Sequence, residues 1–276
     1  MAGVTATSPA ALSDHLAALG IGPGMDVVVH SKLISFGRIE GGADTVLACL
    51  RAAVGPGGTL AFPSYTFGDA DTVYDPASSP CSNVGLLSQR ALREAGAVRS
   101  RCPIHNHVAL GPRADVLAPA PIAVPAGAGA GPATGTGDGA IMVSFGPGSD
   151  FERLHRAGFE LLLLGCNFDE GCTFLHHMEA VMATPYRQWR ELPRRVRDPA
   201  DGREQAVTCR YYGFRDQEPA TRFGAVIAPL RASGALAEAA APYGRSYRVG
   251  LDSLYRCAEH LLRNDPLALI IPGAAP

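Results

Sequence analysis

The hydrophobic positions of this chain form short continuous runs separated by amphipathic segments. The runs "DVVVHS", "GTLAFPSY" and "FELLLLG" are apolar at successive positions, which is typical of strands buried on both faces of a sheet. The intervening segments "ADTVLACLRAAVG" and "TFLHHMEAVMA" have apolar residues at helical spacing. Strand, helix and strand follow one another repeatedly. This order predicts an α/β fold with a central, largely parallel sheet flanked by helices.

Start and stop signals refine the outer elements. Ser8 as N-cap, Pro9 at the first helical position and Gly20 as the stop predict an N-terminal helix. A further helix is expected over "NVGLLSQRALREAG", and two helical stretches, 223–239 and 251–263, are expected near the end. The segment "RRVRDPADGREQAVTCRYYG" predicts two antiparallel strands around a polar turn. We therefore expect a small antiparallel β element in the C-terminal half.

Length and composition suit one domain over residues 1–276. A chain of 276 residues with 47% hydrophobic residues can bury a sizeable core. The stretch 118–140 is almost entirely Ala, Gly, Pro and Thr, which cannot bury much apolar surface. We interpret it as a mobile insertion.

Charge argues against two classes of partner. The net charge is -2 and both signs are spread along the chain, so neither nucleic acid nor a membrane is expected as the partner. The five arginines of 186–197 are typical of a solvated face or a local contact with an anion. No signal peptide and no apolar run of roughly 18 residues is evident, which predicts a soluble, cytoplasmic protein.

The seven cysteines are an odd number without paired metal-ligand spacing, so free thiols are expected. The sequence leaves the oligomeric state open.

The segment "GCNFDEGCTFLHHMEA" carries the densest candidate chemistry. It follows a buried strand, so it is expected at the carboxyl edge of the sheet, where open α/β proteins bind ligands. On a helix from about Cys172, helical spacing places Cys172, His176 and Glu179 on one face. A carboxylate beside an imidazole fixes the tautomer that a general base requires. His177 points elsewhere and is expected to be structural.

Several motifs in order resemble the aminoglycoside 3-N-acetyltransferase family of antibiotic N-acetyltransferases. The block "VVVHSKLISFGRIEGG" is similar to its first strand, His-Ser-Ser-Leu loop and Gly-Gly. The block "YDPASSPCSNVGLL…RSRCPIHN" is similar to its Asp-Pro, Gly-x-Leu and Arg-Ser-x-His-Pro-x-x-Ser segments. The block "GCTFLHHMEA" is similar to its Asn-Thr-x-x-His-x-x-Glu signature, and "YRVGLDSLYRCAEHLL" to its C-terminal helix.

The resemblance implies acyl transfer from acetyl-CoA or another acyl-CoA to an amine of a small molecule, in antibiotic resistance or natural-product biosynthesis. His176 would be the general base, with Glu179 beside it and Thr173 supplying a hydroxyl. An acyl carrier protein remains an alternative donor, and no metal is expected. The residues that would correspond to the acyl-CoA cleft are Ser31, Lys32, Leu33, Arg99 and Ser100.

This chain also departs from the family pattern. Cys102 replaces the histidine of the His-Pro segment, Asn106 its serine, and Asp150 the proline of a Ser-Pro segment. Cys172 replaces the asparagine of the signature, and Gln89 replaces an acid. Loss of an acid weakens the case for a polycationic acceptor, so we expect an altered acceptor or donor. The side chains expected on the substrate side are Asn106, Asp75 and Cys172.

Three alternatives stay open. Cys102 as a nucleophile beside His176 would give a cysteine-dependent transacylase, amide-forming enzyme or hydrolase. His105 and His107 with His176 and Glu179 would suit the metal site of a hydrolase. A protein of this fold that binds a ligand without turnover is the third.

Overall fold

The computed structural model of the protein describes residues 6–118, 140–216 and 218–273. The predicted insertion at 118–140 lies outside the described residues except for its two end positions. Elements in the first half are α1 (Pro9–Ala18), β1 (Asp26–Ser31), α2 (Gly42–Val54), β2 (Thr59–Pro63), β3 (Val73–Tyr74), α3 (Leu86–Ala91), β4 (Val98–Arg99) and β5 (His107–Leu110).

The second half contributes longer strands and the helix that carries the candidate site. Its elements are β6 (Ala140–Val143), α4 (Asp150–Arg156), β7 (Glu160–Leu164), α5 (Phe168–Gly171), α6 (Phe174–Val181), β8 (Arg187–Arg197), β9 (Glu204–Phe214), β10 (Ala220–Thr221), α7 (Ile227–Ala232), β11 (Leu236–Ala241), β12 (Gly244–Gly250), α8 (Leu251–Asn264) and β13 (Ile270–Ile271). Short 3₁₀ turns occupy Leu33–Phe36, Ala114–Leu117 and Phe223–Val226.

The central sheet has seven strands in the order β11-β12-β7-β1-β2-β5-β4. Its middle is parallel, since Val28 of β1 pairs with Ala61 of β2 and with Leu161 of β7. The pairs on either side, β12 with β7 and β2 with β5, are antiparallel. The expected α/β fold is confirmed, with the parallel strands at the centre of the sheet.

Alternate residues of β7 serve two hydrophobic layers. Leu161 and Leu163 join a cluster with side chains of α4, α6 and α8, whereas Leu162 and Leu164 join a cluster with side chains of α1 and α2. Successive side chains of a strand point to opposite faces, so the apolar run of β7 is buried by helices on both sides.

A second sheet, in the order β3-β8-β9-β6, extends from the main body. Strands β8 and β9 pair antiparallel from Arg187 opposite Phe214 to Arg197 opposite Glu204. The predicted small antiparallel element is therefore confirmed.

The N-terminal helix follows its sequence signals. The Ser8 side chain accepts a hydrogen bond from the Ala11 N–H at 3.2 Å, and Pro9 is the first helical residue. Gly20 has φ +70°, a conformation in which glycine is favoured over other residues. No described helix is long and apolar enough to cross a membrane.

Two helix predictions need correction. Helix α3 covers only six residues, because beyond Ala91 the Arg93 and Glu94 N–H groups bond three residues back and the helix tightens into turns. The predicted helix over 223–239 ends at Ala232, and Gly234 at φ +71° turns the chain. The following alanines form β11 instead, since pairing with β12 outweighs their helix propensity.

Candidate active site

The carboxyl ends of β1 and β7 open onto a cavity of about 430 Å³. Ser31 and Lys32, at the end of β1 and just after it, line one side. Cys166 and Thr173, which follow β7, line the other, and Tyr65 completes the wall. The position is the one expected for a ligand site on an α/β sheet.

His176 and Glu179 are in direct contact on α6. The Nδ1 atom of His176 lies 2.7 Å from Oε2 of Glu179, and the imidazole is 23% exposed whereas the carboxylate is fully buried. The Arg187 Nη2 atom is also 2.7 Å from Nδ1. The Glu179 carboxylate can only accept, so in the tautomer that carries a proton on Nδ1 this proton is donated to Glu179, and the Arg187 contact with Nδ1 is then not a hydrogen bond. This tautomer leaves the lone pair on Nε2, where a base needs it.

The Glu179 carboxylate stays ionised despite its burial. Desolvation acts to raise its pKa, but His176, Arg187 and a hydrogen bond from Tyr186 outweigh this effect and hold the pKa below the usual value. The Tyr186 hydroxyl donates to Oε1 at 2.7 Å, and the Arg187 Nε lies 2.7 Å from Oε2. Glu179 is therefore a fixed anion behind the imidazole.

Arg187 corrects the interpretation of the arginine-rich segment as a solvated face. Its side chain is 1% exposed, its guanidinium lies 3.6 Å from the centre of the Phe214 ring, and it donates to the Tyr212 carbonyl at 3.1 Å. Arg190 and Arg195 of the same segment are exposed as expected. A buried arginine among exposed ones has no distinctive sequence pattern, because its partner Glu179 lies on another element.

Aromatic rings surround the exposed part of His176. The rings of Phe223 and Phe145 lie 4.9 Å and 5.7 Å from it. Phe145 in turn contacts His105, whose Nδ1 is 2.6 Å from the Ser144 hydroxyl. Burial, with a contribution from His176, holds the pKa of His105 well below its ordinary value, so His105 is neutral. His176 thus contacts apolar rings in addition to Glu179 and Arg187.

A model of the family described as aminoglycoside 3-N-acetyltransferase matches residues 28–263. The chain belongs to this family. The matched segment contains the cavity, the His176 and Glu179 pair and Arg187.

Curated relatives agree with this assignment. Aminoglycoside N(3)-acetyltransferase III of Salmonella sp is 33% identical over 209 residues, which is 68% of this chain and 66% of the relative. Aminoglycoside N(3)-acetyltransferase VII of Streptomyces paromomycinus is 30% identical over 235 residues, 78% of this chain and 74% of the relative. The chain thus spans just under two thirds of the Salmonella relative's length.

Solved structures share the fold. The apoenzyme of aminoglycoside acetyltransferase AAC(3)-IVa has a TM-score of 0.77 at 27% identity, covering 99% of this chain and 95% of the other. A histidine-to-alanine mutant of AAC(3)-IVa was solved in complex with a gentamicin, with the same TM-score and identity and with 99% and 94% of the chains covered. AAC-IIIb, solved as a binary complex with CoASH, has a TM-score of 0.74 at 24% identity, over 94% and 97% of the chains.

The segment that resembles the family's Asn-Thr-x-x-His signature begins between two helices. Helix α6 begins at Phe174, with Thr173 as its N-cap and lining the cavity. Cys172 is the C-cap of α5 and is 2% exposed. It therefore does not share a helical face with His176, which corrects the expectation from spacing. Burial raises the pKa of the Cys172 thiol, so it stays protonated.

The predicted acyl-CoA residues separate into two groups. Ser31 and Lys32 reach the cavity, and Lys32 forms an exposed ion pair with Glu170 at its rim. Leu33 packs against the hydrophobic cluster of α1 and α2. The structure therefore brings the first two residues, but not Leu33, to the cavity.

Arg99 and Ser100 bond within the fold. The Arg99 guanidinium donates to the Ser64 and Ser79 carbonyls, both at 2.5 Å, and to the Thr66 hydroxyl at 2.9 Å. The Ser100 hydroxyl donates to Asp150 at 2.5 Å. Neither side chain lines the cavity between β1 and β7. The donors of Arg99 hold loops together, and this use competes with the predicted contact to phosphate.

The residues expected on the substrate side also have internal partners. The Asn106 Oδ1 atom accepts from the Ser64 hydroxyl at 2.7 Å and from Arg99 at 2.9 Å. Asp75 accepts from the Ala77 N–H at 2.8 Å in a turn, and Arg197 lies 3.5 Å from it. These contacts are structural.

The contacts of the Cys102 side chain do not include the His176 imidazole. Its thiol faces the Val143 carbonyl at 3.8 Å, and its side chain packs with Ile104 and Cys209 under the second sheet. These partners are Val143, Ile104 and Cys209, and none of them is His176. The geometry gives no support to a Cys102 and His176 pair.

The histidines of "HNH" have separate partners. His107 Nδ1 is 3.3 Å from Asp150, and His105 bonds to Ser144. Within the described residues, no group of three or more His, Cys, Asp or Glu side chains is placed to hold a metal. His177 is 1% exposed and accepts from the Gly146 N–H at 3.1 Å, as expected for a structural histidine.

Proposed function

We propose that the protein transfers an acyl group from an acyl-CoA thioester to an amine of a small molecule, with His176 as general base. One observation carries the assignment of the base. The imidazole is partly exposed on the helix whose N-cap, Thr173, lines the cavity, and its Nδ1 contacts a buried, ionised Glu179. This arrangement orients Nε2 and stabilises the imidazolium that forms when a proton is taken up.

The chemistry needs such a base. An alkylamine is mostly protonated at neutral pH and attacks a thioester only as the free base. His176 takes a proton from the amine as the new C–N bond forms. The C–S bond then breaks, and the CoA thiolate leaves and is protonated. The proton held by His176 is the nearest supply.

The cavity between β1 and β7 is proposed as the place of the thioester end of the donor. Lys32 at its rim offers a positive charge for phosphate, and the Thr173 hydroxyl lies at the α6 end. The CoASH complex of AAC-IIIb, which shares the fold, supports coenzyme A as the donor. Since this co-substrate is intracellular, we propose a cytoplasmic location. Since one family model matches residues 28–263, we also propose that the chain forms one catalytic domain.

The acceptor is proposed to be an amine of an antibiotic or related natural product. The relatives are named for aminoglycosides, and the AAC(3)-IVa mutant binds a gentamicin. In this chain Gln89, where the family has an acid, donates to the Val84 carbonyl at 3.4 Å. A neutral side chain here supports an acceptor that differs from the polycationic ones.

The test is an assay of the purified full chain with acetyl-CoA and a panel of amines that includes gentamicin. Mass spectrometry should detect free CoA and an acetylated product, both dependent on an amine. Absence of acetylated product with every amine, and of CoA release above the spontaneous rate, would overturn the proposal. A His260→Ala variant, altered at an exposed histidine on α8, should match the wild type.

A further inference from the structure

Tyr65 is a buried cavity residue with an unused hydroxyl. It follows β2, is 8% exposed, and lines the same cavity as Lys32 and Thr173. Its hydroxyl oxygen is buried and has no hydrogen-bond partner among the described residues. An unpaired buried hydroxyl is destabilising, so a tyrosine here needs an explanation that phenylalanine would not.

Two more deeply buried tyrosines of this chain have paired hydroxyl groups. The Tyr74 hydroxyl donates to the Ser100 carbonyl at 2.7 Å, and the Tyr212 hydroxyl donates to the Thr184 carbonyl at 2.8 Å. Tyr65 differs from both in that it lines the cavity. We therefore look for the hydrogen-bond partner of the Tyr65 hydroxyl among the ligands that could bind in that cavity.

The position of Tyr65 connects the cavity to the base. Its ring packs edge-on against His105 at 4.9 Å and His107 at 5.7 Å, which hold it in place. Its hydroxyl end lies close enough to the Thr173 side chain for that contact to act on the Tyr65 pKa, but the contact lacks hydrogen-bond geometry. Thr173 is the N-cap residue one helical turn before His176. A thioester carbonyl placed for attack near His176 would lie within reach of this wall.

We infer that the Tyr65 hydroxyl donates a hydrogen bond to the thioester carbonyl oxygen of the acyl donor, which makes Tyr65 a further catalytic residue of the proposed reaction. The oxygen gains negative charge as the amine adds to the carbonyl carbon, and a fixed donor stabilises that charge. The tyrosine keeps its proton throughout. When the C–S bond breaks, the carbonyl is restored and no atom of Tyr65 has been transferred.

The chemical state of Tyr65 suits a donor. Burial raises the pKa of Tyr65 and outweighs the contact with Thr173, which acts to lower it, while Asp150 adds to the rise, so the phenol stays protonated at neutral pH. Because its ring is held by neighbouring rings, little reorganisation is needed when the charge develops.

The decisive variant is Tyr65→Phe, which removes only the hydroxyl. We expect kcat to fall about 10²-fold with little change in KM for acetyl-CoA. Thermal stability should stay equal or rise, because an unpaired buried hydroxyl is removed. A wild-type kcat in Tyr65→Phe would overturn the inference, and so would a loss of activity that merely follows a loss of stability.

A matched control and a spectroscopic readout complete the test. Tyr74→Phe, which removes a paired hydroxyl outside the cavity, should unfold at a lower temperature than the wild type and keep its turnover per folded molecule. With a non-reactive ketone analogue of acetyl-CoA labelled at the carbonyl, infrared spectra should show a lower carbonyl frequency in the wild type than in Tyr65→Phe. Identical frequencies would overturn the inference.

This inference rests on the proposed function but fails separately from it. If Tyr65→Phe is active and His176→Ala is inactive, the role inferred for Tyr65 is wrong, but acyl transfer with His176 as base still holds. An enzyme that acetylates no amine would overturn both.

Discussion

Two buried ionic clusters contain the same kinds of side chain but differ in what they expose. In each, a buried carboxylate lies between an arginine and a histidine. The His176 cluster consists of His176, Glu179, Tyr186 and Arg187, and the Asp150 cluster of Ser100, His107, Asp150 and Arg153.

The difference lies in the second nitrogen of the histidine. His176 is 23% exposed, so its Nε2 edge can meet a substrate, whereas His107 is fully buried. His107 Nε2 is buried and has no hydrogen-bond partner among the described residues. Composition and hydrogen bonds do not distinguish the two clusters. The exposure of the imidazole does, and it is the reason why the His176 cluster is the proposed catalytic one.

The largest effect is expected at His176. Replacing it with Ala should lower kcat by about 10²–10⁴-fold, because proton removal from the amine loses its base. Acetyl-CoA affinity, measured by calorimetry, should be largely kept. A variant with near wild-type turnover would show that the exposed cluster is not the catalytic one.

The next largest effect is expected at Arg187. Arg187→Met leaves the buried Glu179 charge without its cation, and we expect about 3–5 kcal/mol of lost stability in urea unfolding. Arg190→Met, at an exposed position further along β8, should change stability by less than about 0.5 kcal/mol. Equal stabilities for the two variants would contradict the role given to Arg187.

The Asp150 cluster should affect stability and not turnover. Asp150→Asn weakens bonds from Ser100, the His107 N–H and Arg153, and we expect a loss of about 1–3 kcal/mol. Turnover per folded molecule should stay within a few-fold of the wild type. A selective loss of kcat with normal stability would mean that this closed cluster also takes part in the reaction.

A pH effect is expected from the buried structural histidine on α6. Burial lowers the pKa of His177 to about 3 from an ordinary value of 6.5. The unfolded chain therefore binds more protons between these pH values, and stability falls as the pH falls, by up to about 1.4 kcal/mol per pH unit. His177→Asn, which keeps an acceptor for the Gly146 N–H, should show a shallower loss.

His30 also contributes to the pH dependence of stability, because burial lowers its pKa to about 3. Its contribution remains in the His177→Asn variant, so the slope should decrease and not vanish. Parallel stability curves for variant and wild type, measured by urea unfolding across this pH range, would contradict the assignment.

The smallest effect is expected at Cys102. Cys102→Ser places a hydroxyl in an apolar cluster and should cost about 1 kcal/mol of stability, with turnover kept within a few-fold. A mass increase of one acyl group on the Cys102 peptide after incubation with acetyl-CoA, together with an inactive Cys102→Ser, would restore the covalent alternative.

Local patterns predicted the frame of the molecule. The apolar runs of β1 and β7 and the caps of α1 were readable because burial and capping leave signals within a few residues. The pair of His176 and Glu179 was readable because three residues span one helical turn. The predicted helix was wrong at residues 236–239, where pairing with β12 makes the chain a strand.

The sequence by itself determined the α/β order of elements, the family, and a histidine with a neighbouring carboxylate on one helix, His176 and Glu179. Only the tertiary structure decided that Arg187 supports that carboxylate, that Arg99 bonds inward, and that the Tyr65 hydroxyl lies unpaired in the cavity. The physical reason is range. Helical and strand periodicities act between neighbours in sequence, whereas the burial and the partners of a polar group depend on segments far apart in the chain.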